Sequence, residues 1–256
     1  MRELIAFDCA GETLLGTLDG GKGTTGLLIV SGGNEIRVGA HRGMAQLAQR
    51  LAARGIPVFR FDRRGIGDST GDNRGWAESG PDIAAAAALF RERAPHLTRL
   101  IAFGNCDAAT ALVLFGGEAG IEGLILSNPW VIDDGDDLPP VAAIRARYAE
   151  RLRDPSERRR LLSGGVDLRK LMSGVRKVLT KPPKTPDSLA DRVFGALPHD
   201  ATVILAERDA TARAFADEAA RRHWPGAIVT IDTASHSYAR AGDADALVEA
   251  IVAALG

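Results

Sequence analysis

Cysteine is scarce in this 256-residue chain, which has only two, and tyrosine is as rare; tryptophan and methionine occur three times each. Two thiols in unrelated contexts, Cys9 and Cys106, exclude an even disulfide framework. Neither sits in a Cys-x-x-Cys or Cys/His spacing of the kind that holds zinc, so no metal is expected. The thiols are expected to stay reduced, as in a cytoplasm. An excess of charge of either sign is missing too: 32 Lys and Arg stand against 33 Asp and Glu, a formal net charge of −1. That balance lacks the basic footprint of a nucleic-acid binder. No apolar run approaches the ~20 residues of a membrane-spanning helix. The opening Met1-Arg2-Glu3-Leu4-Ile5-Ala6-Phe7-Asp8 is too short and too charged for a signal peptide. What the chain does have is 45% hydrophobic residues, enough for one substantial core.

Residues 2 to 8 and 13 to 18 flank Cys9-Ala10-Gly11-Glu12, which predicts an opening antiparallel hairpin. After it the pattern changes to short apolar runs without alternation: Gly26 to Val30, Pro57 to Phe61, Leu100 to Phe103, Leu124 to Leu126, Thr202 to Leu205 and Ala227 to Ile231. Such runs suit parallel strands buried on both faces. Helical spacing lies between most of them, in Met44, Leu47, Ala48 and Leu51, then in Ile83, Ala86, Ala87 and Phe90, with Leu247, Val248 and Ile251 closing the chain. Strands alternating with helices imply a wound α/β sheet.

One region breaks the rhythm. Residues 132–197 contain no strand-like run and read as a helical lid inserted between core segments 1–131 and 198–256. Val141, Ile144, Tyr148 and Leu152 form one amphipathic stripe and Leu168, Leu171, Met172, Val175 and Leu179 another, before the stiff linker Lys181-Pro182-Pro183-Lys184-Thr185-Pro186. Residues 133–197 carry 14 Lys or Arg against 10 Asp or Glu, leaving the rest of the chain at −5. This excess is either a solvated helix face or an attractant for an anionic substrate or acidic carrier.

Chemistry is expected where Leu100-Ile101-Ala102-Phe103 runs into Gly104-Asn105-Cys106-Asp107-Ala108-Ala109. A side chain on so sharp a strand-to-helix turn projects above the sheet, and the small residues at Gly104 and Ala108 permit the bend. The free amides and positive dipole end of the following helix would favour a thiolate at Cys106. Open α/β sheets place their sites at the carboxyl ends of strands, where two further loops end, one carrying Asp209 and the other His236. The order nucleophile, acid, histidine matches hydrolases with a nucleophile elbow. Glu207 competes with Asp209 in the same loop, and Thr211 is the expected cap of the helix that follows.

These segments together resemble the α/β-hydrolase superfamily over nearly the whole chain. Ser31-Gly32-Gly33-Asn34-Glu35 looks like its oxyanion loop, and Phe61-Asp62-Arg63-Arg64-Gly65-Ile66-Gly67-Asp68-Ser69-Thr70-Gly71 like its D-x-R-G-x-G-x-S-x-G loop. The Gly-Asn-Cys-Asp elbow, Ser127-Asn128-Pro129-Trp130-Val131, Tyr148 to Leu152 and Leu161-Leu162-Ser163-Gly164 are similar to the exosortase A system-associated hydrolase type 1 group. That resemblance implies a bacterial cytoplasmic enzyme tied to exopolysaccharide and protein-sorting loci. A thiol nucleophile on this fold is also similar to dienelactone hydrolases. The expected fold is thus an α/β-hydrolase, a mostly parallel sheet opened by an antiparallel hairpin and bearing a helical lid.

The expected roles follow from chemistry. Cys106 attacks an acyl carbonyl, His236 moves the proton, and Asp209 orients the imidazole. The backbone amide of Asp107 and one from Gly33 or Asn34 receive the oxyanion. The Asp107 carboxylate opposes that charge unless it is turned aside, for instance by accepting hydrogen bonds at its own helix N-terminus. Trp130, Trp76 and His41 are candidate substrate contacts. The expected activity is cleavage of a carboxylic ester or thioester through an acyl-thioester intermediate, with no cofactor and with a small acyl substrate or acylated carrier as partner. Acyl transfer to a sugar or alcohol is the first alternative, and a non-catalytic acyl- or protein-binding homologue the second. Oligomeric state is not encoded legibly.

Overall fold

A computed structural model of the chain describes residues 2–133 and 188–256. Strands β1 (Arg2–Cys9) and β2 (Glu12–Asp19) form the expected hairpin. Its turn residues Ala10 and Gly11 both have positive φ, as a two-residue turn between twisted strands requires. Then follow β3 (Thr25–Val30), α1 (Gly43–Ala53), β4 (Val58–Phe61), α2 (Gly80–Arg93), β5 (Arg99–Asn105), α3 (Asp107–Phe115) and β6 (Gly123–Ser127). After the stretch outside the described residues come α4 (Leu189–Ala196), β7 (Thr202–Ala206), α5 (Ala210–Arg222), β8 (Ala227–Ile231) and α6 (Asp243–Leu255). The eight strands make one sheet in the order β1-β2-β4-β3-β5-β6-β7-β8. Pairing is antiparallel for β1 with β2 and β2 with β4, and parallel elsewhere.

Strand side chains alternate between faces, yet here both faces are apolar because both are covered. Leu28, Val30, Phe59, Phe61, Leu100 and Ala102 point to the side packed by α2, α3, α4 and α5. Leu27, Ile29, Val58, Ile101, Phe103 and Ile204 point to the side packed by α1 and α6. This explains the continuous apolar runs of the sequence. Phe59, Phe61, Phe90, Phe103 and Phe215 are fully buried, and truncating any one to alanine would cost about 3–5 kcal/mol.

Two expectations need correction. The run Ala227 to Ile231 is a strand, but it is the sheet edge, with Ile228 and Val229 42% and 39% exposed. An apolar run reports a strand; it does not report whether a neighbour or a helix covers it. Residues 189–197, assigned to the lid, instead join the core, where Leu189, Ala190, Val193 and Leu197 are buried. Ser188 caps that helix by accepting from the Asp191 N–H at 3.1 Å. The two amphipathic stripes and the proline-rich linker lie outside the described residues. No helix among the described residues is long and apolar enough to cross a membrane.

Candidate active site

The elbow is built as its small residues suggest. Cys106 lies at the junction of β5 and α3 with φ 61 and ψ −127, a strained conformation for a side chain with a Cβ. The strain is held from behind: the Cys106 N–H donates to the Ser127 carbonyl at 2.9 Å, and the Cys106 carbonyl accepts from the Trp130 N–H at 3.2 Å. A Cβ on Gly104 would come within 2.9 Å of the α3 backbone, so only glycine lets the helix close on the strand here.

Cys106, Asp209 and His236 converge from the ends of three strands. His236 Nδ1 lies 3.1 Å from Asp209 Oδ1, and Cys106 is close enough to the same imidazole to influence its proton affinity. The Asp209 bond, then the Cys106 contact, push the His236 pKa up to about 10 against the opposing effect of burial. Burial works against the Asp209 charge, but the bonds from His236, Ala212 N–H and Thr211 N–H outweigh it and hold the carboxyl below its ordinary value. Asp209 therefore has two tasks, since the same oxygen caps α5 by accepting from Thr211 and Ala212 at 3.0 Å each. The cap is Asp209 and not Thr211. Glu207 is exposed and its side chain takes no part.

The imidazole loop is pinned by side chains that sequence reading missed. Asn105 Nδ2 donates to the His236 carbonyl at 3.2 Å. Asn128, fully buried with φ 42, donates to Asn105 Oδ1 at 2.9 Å and accepts from the Ala206 N–H at 2.8 Å. Ser127 Oγ and the Tyr238 hydroxyl add a bond of 2.8 Å beneath the loop. Each partner lies about a hundred residues or one strand away, so no local pattern announces it.

The loop after β3 is clamped from both sides. The Gly33 N–H donates to Asp107 Oδ1 at 2.7 Å, and Arg63 Nη2 donates to the Gly33 carbonyl. Asp107 is thus turned aside as its position demands, though by Gly33 and not by its own helix. Gly33, expected as a candidate oxyanion donor, has its N–H engaged. A Cβ at Gly32 would meet Asp107 Oδ1 at 2.5 Å, so the close approach of loop and elbow needs glycine there. Among the described residues, the Asp107 and Asn34 amides meet no backbone acceptor.

A family model described as Hydrolase_4, serine aminopeptidase S33, matches residues 26–177. The chain belongs to this α/β-hydrolase family. The matched span includes the elbow and both loops that clamp it, while Asp209 and His236 lie beyond it. No curated protein matches the chain. Among solved structures it is similar to the Pf2001 esterase of Pyrococcus furiosus, at 14% identity and a TM-score of 0.66 over 100% of this chain and 92% of that one. It is similar to the thioesterase domain of the curacin biosynthetic pathway at 14% identity and TM-score 0.61, covering 98% and 99%. Est1E of Butyrivibrio proteoclasticus, solved with ferulic acid, aligns at 17% identity and TM-score 0.60 over 96% of each chain. At these identities the likeness is one of fold.

Within this Hydrolase_4 member, the remaining candidates are less central. Trp130 follows β6, with its N–H on the Cys106 carbonyl, and Trp76 lies on the turn Trp76–Glu78 that packs on α3; both are half-buried against the core. His41 is exposed on the turn Ala40–Arg42 with φ 52. Among the described residues no group of three His, Cys, Asp or Glu side chains is arranged to hold a metal ion.

Proposed function

We propose that this protein hydrolyses a carboxylic ester or thioester with Cys106 as nucleophile, His236 as proton carrier and Asp209 as its partner. The observation that supports this most is the convergence of thiol, imidazole and carboxylate above the strand ends, with the nucleophile on a positive-φ elbow. With the His236 pKa at about 10, the proton resides on the imidazole at neutral pH, the state that favours a sulfur nucleophile. Cys106 sulfur adds to the acyl carbonyl, and the oxyanion settles on backbone amides. Collapse breaks the bond to the alcohol or thiol, which leaves with the imidazolium proton and an acyl thioester behind it. Water then gives a proton to His236 and its oxygen to the acyl carbon, and the acid departs as the thiolate returns.

The finer reading follows the resemblance to the exosortase A system-associated group: a cytoplasmic enzyme linked to exopolysaccharide and protein-sorting systems, acting on a small acyl substrate or an acylated carrier. The basic excess over residues 133–197 supports an anionic substrate or acidic carrier.

The test is direct. Incubation with p-nitrophenyl acetate should give a stoichiometric burst and an acetyl adduct on Cys106 by peptide mass spectrometry, both abolished in Cys106→Ala. Iodoacetamide should alkylate Cys106 well before Cys9, whose thiol is pushed up to about 11 by burial and by its Asp82 neighbour. An unchanged burst in Cys106→Ala would refute the assignment. Faster loss of the adduct with a polyol than with water alone would convert the hydrolase into an acyltransferase.

A further inference from the structure

Gly33 makes two hydrogen bonds that belong to two different peptide units. Its N–H, part of the Gly32–Gly33 peptide, is given to the Asp107 carboxylate at 2.7 Å. Its carbonyl, part of the Gly33–Asn34 peptide, receives Arg63. In a trans peptide the carbonyl and the N–H point in opposite directions. Fixing the Gly33 carbonyl on Arg63 therefore aims the Asn34 N–H the other way, and a cation on the carbonyl strengthens that N–H as a donor. The Asn34 side chain is engaged elsewhere, accepting from Asn73 Nδ2 at 2.8 Å. Its backbone N–H meets no backbone acceptor among the described residues.

Arg63 has the setting for this task. It is only 4% exposed, and its Nε has no partner among the described residues. The carboxylates that act on it are Asp107 and Asp82; Asp82 is engaged by Arg64 at 2.5 Å and Asp107 by Gly33. A cation so placed is poorly screened by water and offsets the Asp107 charge beside the elbow.

Resting on the thiol-hydrolase reading above, we propose that Arg63 is a positioning residue of the oxyanion hole: through the Gly33 carbonyl it presents the Asn34 N–H, alongside that of Asp107, to the substrate oxygen, while the Asp107 carboxylate withdraws the Gly33 N–H. The loop donor is Asn34, and the acidic neighbour of the nucleophile serves to hold the adjacent amide out of the way.

Two reactions of the same sulfur separate this from a merely structural role. Acylation by p-nitrophenyl acetate develops an oxyanion; alkylation by iodoacetamide does not. Replacing the Asn34 amide nitrogen by oxygen, through a hydroxy acid incorporated in the full chain, should slow acylation by about 100-fold and change alkylation by less than about threefold. The same replacement at Gly33, which removes the N–H that holds the Asp107 carboxylate aside, should slow acylation clearly less than the Asn34 ester does and leave alkylation within about threefold. Arg63→Met should slow acylation by at least about tenfold with alkylation preserved, and Arg63→Lys should recover part of the loss. A large loss from the Gly33 ester with none from the Asn34 ester overturns the donor assignment. Equal slowing of both reactions in a folded Arg63→Met chain, judged by circular dichroism, overturns the role of Arg63. Should Arg63→Met fail to fold, the pair of backbone esters still decides the donor, and the comparison of Arg63→Lys with wild type in the two reactions decides the arginine. A wild-type protein whose Cys106 alkylates readily but accepts no acyl group overturns the hydrolase reading itself, and this proposal with it.

Discussion

The two flanks of the proposed site are held by different chemistry. On the β5 to β7 side the His236 loop hangs on neutral groups: the Asn105 and Asn128 amides and the Ser127–Tyr238 pair. On the β3 to β4 side the loops that follow those two strands are fixed by ions: Arg37 with Asp62, Arg64 with Asp82, Arg63 on the Gly33 carbonyl and Asp107 on the Gly33 N–H. The difference follows the work asked of each flank. The backbone of a loop whose histidine gains and loses a proton in every cycle is held by groups that do not change charge with it, which leaves Asp209 to set the proton affinity of the imidazole. A loop that faces a developing anion benefits from fixed positive charge behind it.

Breaking the charged flank should have the largest effect. Asp62 is fully buried and accepts from the Arg37 backbone at 2.5 Å and from the Arg37 guanidinium. Removing Asp62 leaves Arg37 with only the exposed Asp68 as its ion partner and the Arg37 N–H without its acceptor, a loss at the lower end of the range for a broken buried pair, about 3 kcal/mol. Asp62→Ala is therefore expected to lose that much in urea unfolding, with the oxyanion loop released. A loss below about 1 kcal/mol would mean that the ionic clamp is ornamental.

The neutral flank should yield less in stability and more selectively in rate. Asn128→Ala leaves the Ala206 N–H without its acceptor and Asn105 without its donor. Exposing such buried groups costs about 2–3 kcal/mol, and the freed His236 loop should lower kcat roughly tenfold with KM little changed. Equal changes in kcat and KM would point to a substrate contact instead.

The contrast also explains what the sequence could and could not disclose. The elbow was legible because a local signal carries it: an apolar strand, small residues at Gly104 and Ala108, then a helix. Asp209 and His236 were legible as loop residues at strand ends. Their holders were not, because Asn128 reaches Asn105 and Ala206 across a parallel sheet, and Arg63 meets Gly33 thirty residues earlier in the chain. Periodicity describes one element at a time, whereas these bonds depend on register between strands. The same limit hid the edge position of β8 and drew the helix Leu189–Ala196 into the insertion, since charge density rose before a strand reappeared.

A titration sharpens the comparison further. His236 is raised to about 10 from 6.5, so its contribution to folding is full below about pH 6.5 and fades as pH climbs through 10. Asp209 is lowered from 3.8, so its contribution is present above about pH 4 and is lost as acid is added. The difference in Tm between wild type and Asp209→Asn should therefore be greatest from about pH 4 to 6.5 and shrink toward pH 10. The Asn128→Ala difference should stay flat over the same range, because no member of that network titrates there. A Tm difference for Asp209→Asn that grows with pH would contradict the pairing.

The smallest effect is expected at Glu207, and its smallness is informative. Two acids follow β7, and the order of motifs alone left both open. Asp209 Oδ1 faces His236 at 3.1 Å and caps α5, whereas Glu207 is exposed, with only its backbone engaged: its N–H on the Ile231 carbonyl and its carbonyl on Arg213. Glu207→Ala should leave stability within about 0.5 kcal/mol of wild type and the acylation rate of Cys106 within about twofold. Asp209→Ala should remove both the imidazole partner and the helix cap, lowering stability by at least about 1 kcal/mol from the cap alone. Reversal of that ranking, with Glu207→Ala the slower acylator, would transfer the acid's role to Glu207 and make Asp209 a helix cap only.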